Sequence, residues 1–372
     1  MSLNHCRLTG LLLASAAFIT MTASFAMADD AYMTSAKDYI AKVTASAPPW
    51  SGPTTGPKDV GHKLVVYVAT DERNGGVKGV SDGAAEAAKV MGWTYRTLDG
   101  QGSVSGRATA MSQAIALKPD GIILGSVDAA EQAPLIEQAV QQGVKIVAWH
   151  SGPKPGKLDN SPIFTNITTD PLDVAKASAL YAVVDSGGKA NVVLFTDSIY
   201  SIATAKTNAE AAVLKGCAGC SILAIEDTPL GDVSNRMPQL TTSLLSKFGT
   251  KWTYSIGVND LYYDFIAPSL QAAGIAGDGY PRNISAGDGS KSAFERIRDK
   301  QYQIGTVADP LTLQGWQSID EMNRAFAGQP PSGFVNPVHL FTAANIDDDG
   351  GKNGLFEPAN GYRDAYKKIW GK

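Results

Sequence analysis

The chain has 372 residues, a formal net charge of −4 and only 18% charged residues. That balance gives no strong field for nucleic acid or an anionic membrane surface. The length suits two domains rather than one.

The chain opens with a short basic start at Arg7, an apolar run from Leu11 to Phe25 and the small-x-small triplet Ala26-Met27-Ala28. This layout reads as a cleaved secretory signal over residues 1–28. It is shorter and more interrupted by Thr and Ser than a membrane span requires. Cys6 lies before the apolar core, so it is not placed for lipid attachment. An exported, periplasmic product follows. Cys217 and Cys220 then remain in Cys-Ala-Gly-Cys, with no second pair to complete a zinc site. A short structural disulfide suits that compartment better than a redox centre.

Residues 29–58 form an N-terminal extension. A helical pattern through Tyr32, Ala36, Tyr39, Ile40 and Val43 gives way to a Pro/Gly-rich stretch expected to drape as extended chain, with Trp50 tacking it down. Leu64–Ala69 is an apolar, β-branched run of the kind buried on both faces of a parallel sheet. A polar loop over residues 70–76 follows, then a helix with Val80, Ala84, Ala87, Ala88 and Met91 on one face, stopped by Gly92. The spacing predicts further strands over 93–98, 122–124 and 144–149, with helices over 105–117 and 130–142 between them. A strand–loop–helix series of this kind makes a doubly wound parallel domain.

The first change of domain is placed near a short strand at Phe164–Asn166, before a helix capped by Asp170 with Pro171 at its first position. Strands over 190–195, 222–225, 254–258, 284–286 and 303–307 alternate with helices and build a second α/β domain. A helix over 312–327, an extended stretch over 334–342, a Gly/Asp loop over 345–360 and a closing helix over 362–370 complete the chain. The fold class expected is α/β, with two doubly wound parallel-sheet lobes. The lobes are assigned residues 59–163 plus 310–340 and residues 164–309 plus 341–372.

Ligands of open α/β sheets bind beyond the carboxyl ends of the strands. In the first domain those ends carry Asp71, Asn74, Asp99, Asp128 and His150, and in the second Asp197, Lys206, Asp232, Asn259, Asp288 and Asp309. For Asp128 a helix-capping role stands level with a binding role. No Gly-x-Gly-x-x-Gly follows the first strand, and neither a Walker loop nor a Gly-x-Ser-x-Gly elbow is present. His62, His150 and His339 have no partner at metal-ligand spacing, so neither metal nor cofactor is expected. Asp347-Asp348-Asp349 beside Gly350 fails as a calcium loop, since Gly351 and Pro358 occupy the fifth and twelfth positions. What remains is binding. Asp71, Asp288 and Asp309 set against Arg73 and Lys206 form a balanced mixture of acceptors and donors, suited to a neutral sugar or polyol rather than to a phosphate.

The stretches VVYVATDERNGGVKGVSDGAAEAAK, KPDGIILGSVDAAEQAPLIEQAVQQGVKIVAW, TNITTD, GVNDLYYDF, ISAGDGS and YQIGTVADPLTLQGW, with the helix around Lys206, resemble the periplasmic sugar-binding proteins of ABC importers, the ribose- and xylose-binding type of the type I fold. The resemblance covers nearly all of the chain beyond the signal. It implies lobes joined by a three-segment hinge, a solute trapped between them, and delivery to a membrane permease by a monomer that can also serve a chemoreceptor. By position it implies ligand contacts at Asp71, Arg73, Asn74, His150, Lys206, Asp232, Asn259, Asp288 and Asp309. His150-Ser151 stands where ribose binders have Asp-Arg, Lys206 where they have arginine, and Asp309 where they have glutamine. Gly75-Gly76 replaces the two aromatics that stack on ribose, which points to another monosaccharide or an open-chain polyol. A receptor for a furanone signal or a nucleoside, and an exported carbohydrate-active hydrolase, are the rival readings.

Overall fold

The computed structural model describes residues 30–372. The signal expected over residues 1–28 lies outside them. Helix α1 (residues 30–43) leads into an irregular segment. The first sheet is built from β1 (Leu64–Ala69), β2 (Thr94–Asp99), β3 (Gly121–Gly125), β4 (Lys145–Trp149) and β5 (Asn166–Ile167), in the order β2-β1-β3-β4-β5, all parallel. Its crossovers are α2 (Gly75–Met91), α3 (Val104–Ala116) and α4 (Ala133–Gln141). Val65 to Ala69 are fully buried, as a two-faced parallel strand requires.

The second sheet has six strands. β6 (Asn191–Thr196), β7 (Ser221–Asp227), β8 (Tyr254–Gly257), β9 (Arg282–Ser285) and β10 (Gln303–Ala308) are parallel, and β11 (His339–Thr342) joins β10 antiparallel at the edge. Around it lie α5 (Pro171–Asp185), α6 (Ser201–Lys215), α7 (Val233–Phe248), α8 (Ala267–Ala272) and α9 (Lys291–Arg298). The chain then returns through α10 (Leu311–Phe326) to the first lobe and ends in α11 (Tyr362–Trp370). A disulfide joins Cys217 and Cys220 just after α6.

The lobe boundaries differ from those expected in three places. β5 pairs with β4, so the first lobe runs beyond residue 163. β11 belongs to the second sheet from His339 onward. Tyr362, Tyr366, Ile369 and Trp370 of α11 are buried in the first lobe's core beside Trp316 rather than in the second lobe. Amphipathic periodicity shows that α11 buries a face, but the partner of that face is chosen by aromatic packing: the Trp316 and Trp370 rings stack at 5.4 Å.

Three hinge passages connect the lobes, after β5, after β10 and before β11. Two further passages run beside them. α1 buries Ala36, Ile40 and Val43 against Leu180, Val307 and Leu340 of the second lobe. The segment after it crosses to the first lobe, where Trp50 packs on Phe334 and Tyr366, and Arg324 Nη2 donates to Thr55 O at 2.6 Å. The 343–361 loop likewise crosses from the second lobe, at β11, to the first, at α11. The two meet where Asp349 Oδ2 accepts from Ala47 N at 2.9 Å and Asn345 Nδ2 donates to Thr44 O at 3.1 Å. Two acids of the triple-Asp run thus serve structure, Asp349 here and Asp347 in its pair with Arg298 at 3.1 Å.

Two features of this framework bear directly on the cleft. α2 and α10 touch through Gly83 and Gly315, and a Cβ on Gly315 would overlap the backbone of Val80, Gly83 and Ala84. Gly315→Leu should therefore lower the stability by at least about 2 kcal/mol through overpacking, seen as a reduced urea midpoint at unchanged slope. The second feature is Glu210 on α6, fully buried and one turn beyond Lys206. Burial, partly countered by the Lys206 charge, pushes its carboxyl from the ordinary 4.5 up to about 8. The folded chain thus holds a proton that the unfolded chain releases, so this contribution is complete at low pH and is lost as pH rises toward 8. Glu210→Gln should flatten the fall of unfolding free energy between pH 5 and 8, measured by urea titration at several pH values.

Candidate functional site

The parallel order of both sheets brings their strand ends face to face across a cleft. A cavity lies there, lined by residues of both lobes. The first lobe contributes Asp71, Asn74 and His150, and the second contributes Lys206, Asn259 and Asp288. These six predicted residues are brought together from the loops after β1, β4, β8 and β9 and from the first turns of α6.

Each is held by its own neighbours. Asn74 caps α2 by accepting from Gly76 N at 2.9 Å, which leaves its amide group for the cavity. Asn259 accepts from Leu261 N at 3.0 Å and donates to Asp288 Oδ2 at 2.8 Å. Lys206 Nζ donates to Ala286 O at 2.6 Å and, as an ammonium, has further protons to give. His150 sits at φ 52°, an uncommon conformation for a side-chain-bearing residue, with its ring stacked 3.9 Å over Trp149. Its Nδ1 lies 3.8 Å from Asp288 and its Nε2 3.4 Å from Asp309.

Gly75 and Gly76 acquire a structural reason here. A Cβ on Gly76 would overlap the Asp288 carboxylate, and one on Gly75 would come within 2.9 Å of Ser290. The start of α2 therefore meets the Gly287–Ser290 turn of the opposite lobe directly.

Three predicted contacts do not line the cavity. Arg73 has a side chain 64% exposed and forks onto Asp71 at 2.9 and 2.7 Å, neutralising that acid from outside. Asp309 lies behind His150, where Oδ1 accepts from Thr169 Oγ1 at 2.5 Å and Gln314 Nε2 at 2.7 Å. Gln314 in turn accepts from Trp149 Nε1 at 2.6 Å, so the acid belongs to a hinge-side network that sets the His150 ring. Asp232 is a half-exposed residue at the start of α7, bonded to Asn235 and Arg236, while Leu230 and Gly231 before it reach the cavity. Asp232 thus stands within a turn of cavity-lining residues, and the loop turns its carboxylate outward.

The electrostatics are those of buried acids. Burial raises the Asp288 pKa, against the opposing pull of His150 and Lys206. Burial also acts on Asp309, but there the hydrogen bond and charge of His150, with Thr169, outweigh it and lower the pKa. His150, Asp288 and Asp309 place ligand atoms within 4.8 Å of one another. The two ring nitrogens nevertheless face different acids, Asp309 Oδ1 is already shared by two donors, and the Lys206 charge lies close by. That set is built to hydrogen-bond rather than to gather around one cation.

Sequence reasoning missed the aliphatic part of the wall. Ile202, Leu230, Val258 and Leu261 from the second lobe line the cavity, together with Tyr200. Tyr200 and Ile202 lie in the turn after β6, the same carboxyl-end position that singled out the polar residues, and a search restricted to polar side chains passed over them.

The periplasmic binding protein domain model matches residues 65–330. Among solved structures the chain resembles an ABC transporter solute-binding protein from Agrobacterium vitis with bound allitol (19% identity, 77% of this chain and 97% of that chain, TM-score 0.65). A second protein from Agrobacterium vitis, bound to α-D-tagatopyranose, matches at 14% identity over 79% of this chain and 99% of that chain, with TM-score 0.69. The arabinose transporter's binding protein from Shewanella sp. ANA-3 matches at 15% identity over 82% and 95%, with TM-score 0.65. With the family model covering well over half of its length, this chain belongs to the periplasmic binding protein domain family.

Proposed function

We propose that the chain is the solute receptor of an ABC importer. It captures a neutral monosaccharide or sugar alcohol between its lobes and hands it to a membrane permease. The observation that carries this reading is the cavity itself, enclosed by both lobes and lined by donors and acceptors whose charges offset one another. Asp71 is matched by Arg73, and Lys206 stands against Asp288 and Asp309, with the His150 ring between those two acids. A phosphate or sugar acid needs surplus cations, and this site has none. Hydroxyl groups both donate and accept, so a polyol can satisfy Asp288, Asn259 and Lys206 together while its C–H surface lies on Ile202 and Leu230. Structural neighbours hold allitol, tagatopyranose and arabinofuranose, which supports the same class of solute. The signal-like start supports the reading of a periplasmic receptor, a monomer that binds rather than transforms its solute.

Selectivity arises because a solute lacking one hydroxyl strands a buried partner. A thermal-shift screen of the mature chain against pentoses, hexoses and alditols should pick out one stereochemical group, since only a compound preferring the folded, closed form raises the midpoint. For the best compound, Asp288→Ala should weaken binding by about 1–3 kcal/mol in titration calorimetry. No shift from any neutral polyol at millimolar concentration, or an unchanged affinity in that variant, would remove this assignment.

A further inference from the structure

The helix that carries Lys206 lacks a cap of its own. α6 starts at Ser201, and the side chain of the preceding Tyr200 makes no bond to the helix. The first N–H groups of a helix need partners, and a negative group at that end is favoured by the helix dipole. Here the partner comes from the other lobe. Asp128, in the loop after β3, is 4% exposed. Its Oδ2 accepts from Ser201 N at 2.9 Å and from Ser201 Oγ at 2.6 Å. Its Oδ1 accepts from Ala130 N at 2.9 Å and Glu131 N at 3.4 Å within its own loop. One carboxylate thus caps two elements on opposite sides of the cleft.

Neighbouring contacts close the same seam. The fully buried Arg107 of α3 forks onto Glu131 at 2.8 and 2.5 Å and donates to Tyr200 OH at 3.1 Å. Tyr200 OH also lies 3.1 Å from Thr70 Oγ1 of the first lobe. Beside them the Gly102 and Gly231 backbones touch so closely that a Cβ on Gly231 would overlap Gly102 O. These bonds link the lobes through protein groups alone. Asp128, Arg107 and Ser201 are not among the residues that line the cavity.

We propose that Asp128 is a cross-cleft cap for α6, and that this latch lets the empty receptor populate the closed arrangement, with Lys206 already positioned, before solute enters. Opening the cleft strips α6 of its cap and exposes the Asp128 carboxylate to water. Solute therefore meets an equilibrium already tilted toward closure, and its apparent affinity includes the closed fraction. Asp128 is a positioning residue: it touches α6 and acts on solute only through it. The inference rests on the two-lobed receptor reading, but not on which compound binds.

The test uses the ligand-free mature chain, so it is independent of the solute screen. Pulsed electron resonance between one nitroxide on each lobe reports the closed and open populations. Ser201→Pro removes both donors to Asp128 yet places proline at the first helical position, where it is well tolerated, after Tyr200 at φ −104°, ψ 121°, a conformation that suits a residue before proline. The wild type should show a closed population without solute. Ser201→Pro should lower the closed-to-open ratio by between about 3- and 30-fold, the range expected for loss of a cap, with an unchanged thermal midpoint. Asp128→Ala should lower the ratio likewise, with a reduced thermal midpoint because its own loop loses a cap as well, and Ser201→Ala should show a smaller decrease. A wild type with a single open population, or a Ser201→Pro ratio within about twofold of wild type, would overturn the proposal.

Discussion

Parallel strand pairing is the constraint on which the rest of this molecule depends. A parallel strand cannot be followed by a tight hairpin, so each crossover must return the chain to the same edge before the next strand begins. All the carboxyl-end loops of one sheet therefore gather on one side. With two such sheets joined at a hinge, the loops after β1, β3 and β4 meet those after β6, β8 and β9. Asp71, Asp128 and His150 come to face Asn259 and Asp288 although more than a hundred residues separate the two groups. The polar groups need not be neighbours in the chain; each needs only to follow a buried strand.

Burial then decides how these groups behave. Asp288 and Asp309 are both shielded from water, yet their pKa values move in opposite directions. Asp309 has Thr169, Gln314 and His150 around it, and those donors stabilise its charge. Asp288 has Asn259 within hydrogen-bonding distance and His150 farther off, so desolvation prevails. An incompletely satisfied acid belongs on the cavity wall and a saturated one behind it. The same distinction separates Lys206, with protons to spare, from Arg73, whose guanidinium is committed to Asp71.

The hinge side is reinforced by two further passages of the chain. The segment after α1 and the 343–361 loop both span the lobes and bond to each other through Asp349 and Asn345. They lie beside the three hinge passages, so the lobes remain free to separate only on the opposite side, where Asp128 and Tyr200 meet their partners. Flexibility is thus confined to one direction by the placement of the chain's two ends.

Much of this was legible in the amino-acid order alone. Continuous β-branched runs such as Leu64–Ala69 mark strands buried on both faces, Asn74 and Gly92 bracket α2, and the alternation of strands and helices sets the fold class. These signals are local, because hydrophobic periodicity and capping act within a few residues. The same logic located the wall residues Asp71, Asn74, His150, Lys206, Asn259 and Asp288 by their places after strands. It did not distinguish Asp309 from them, since whether an acid faces the cavity or the hinge depends on Thr169 and Gln314 from distant segments. It placed Asp232 in the site because the outward turn of the loop before α7 leaves no mark in composition. It assigned α11 to the wrong lobe, since an amphipathic helix records that one face is buried but not what covers it. The order of residues thus determined which elements form and which side chains stand at their ends. Only the tertiary structure decided which of those ends meet, because long-range packing and the solvation of buried charge depend on neighbours brought together from opposite ends of the chain.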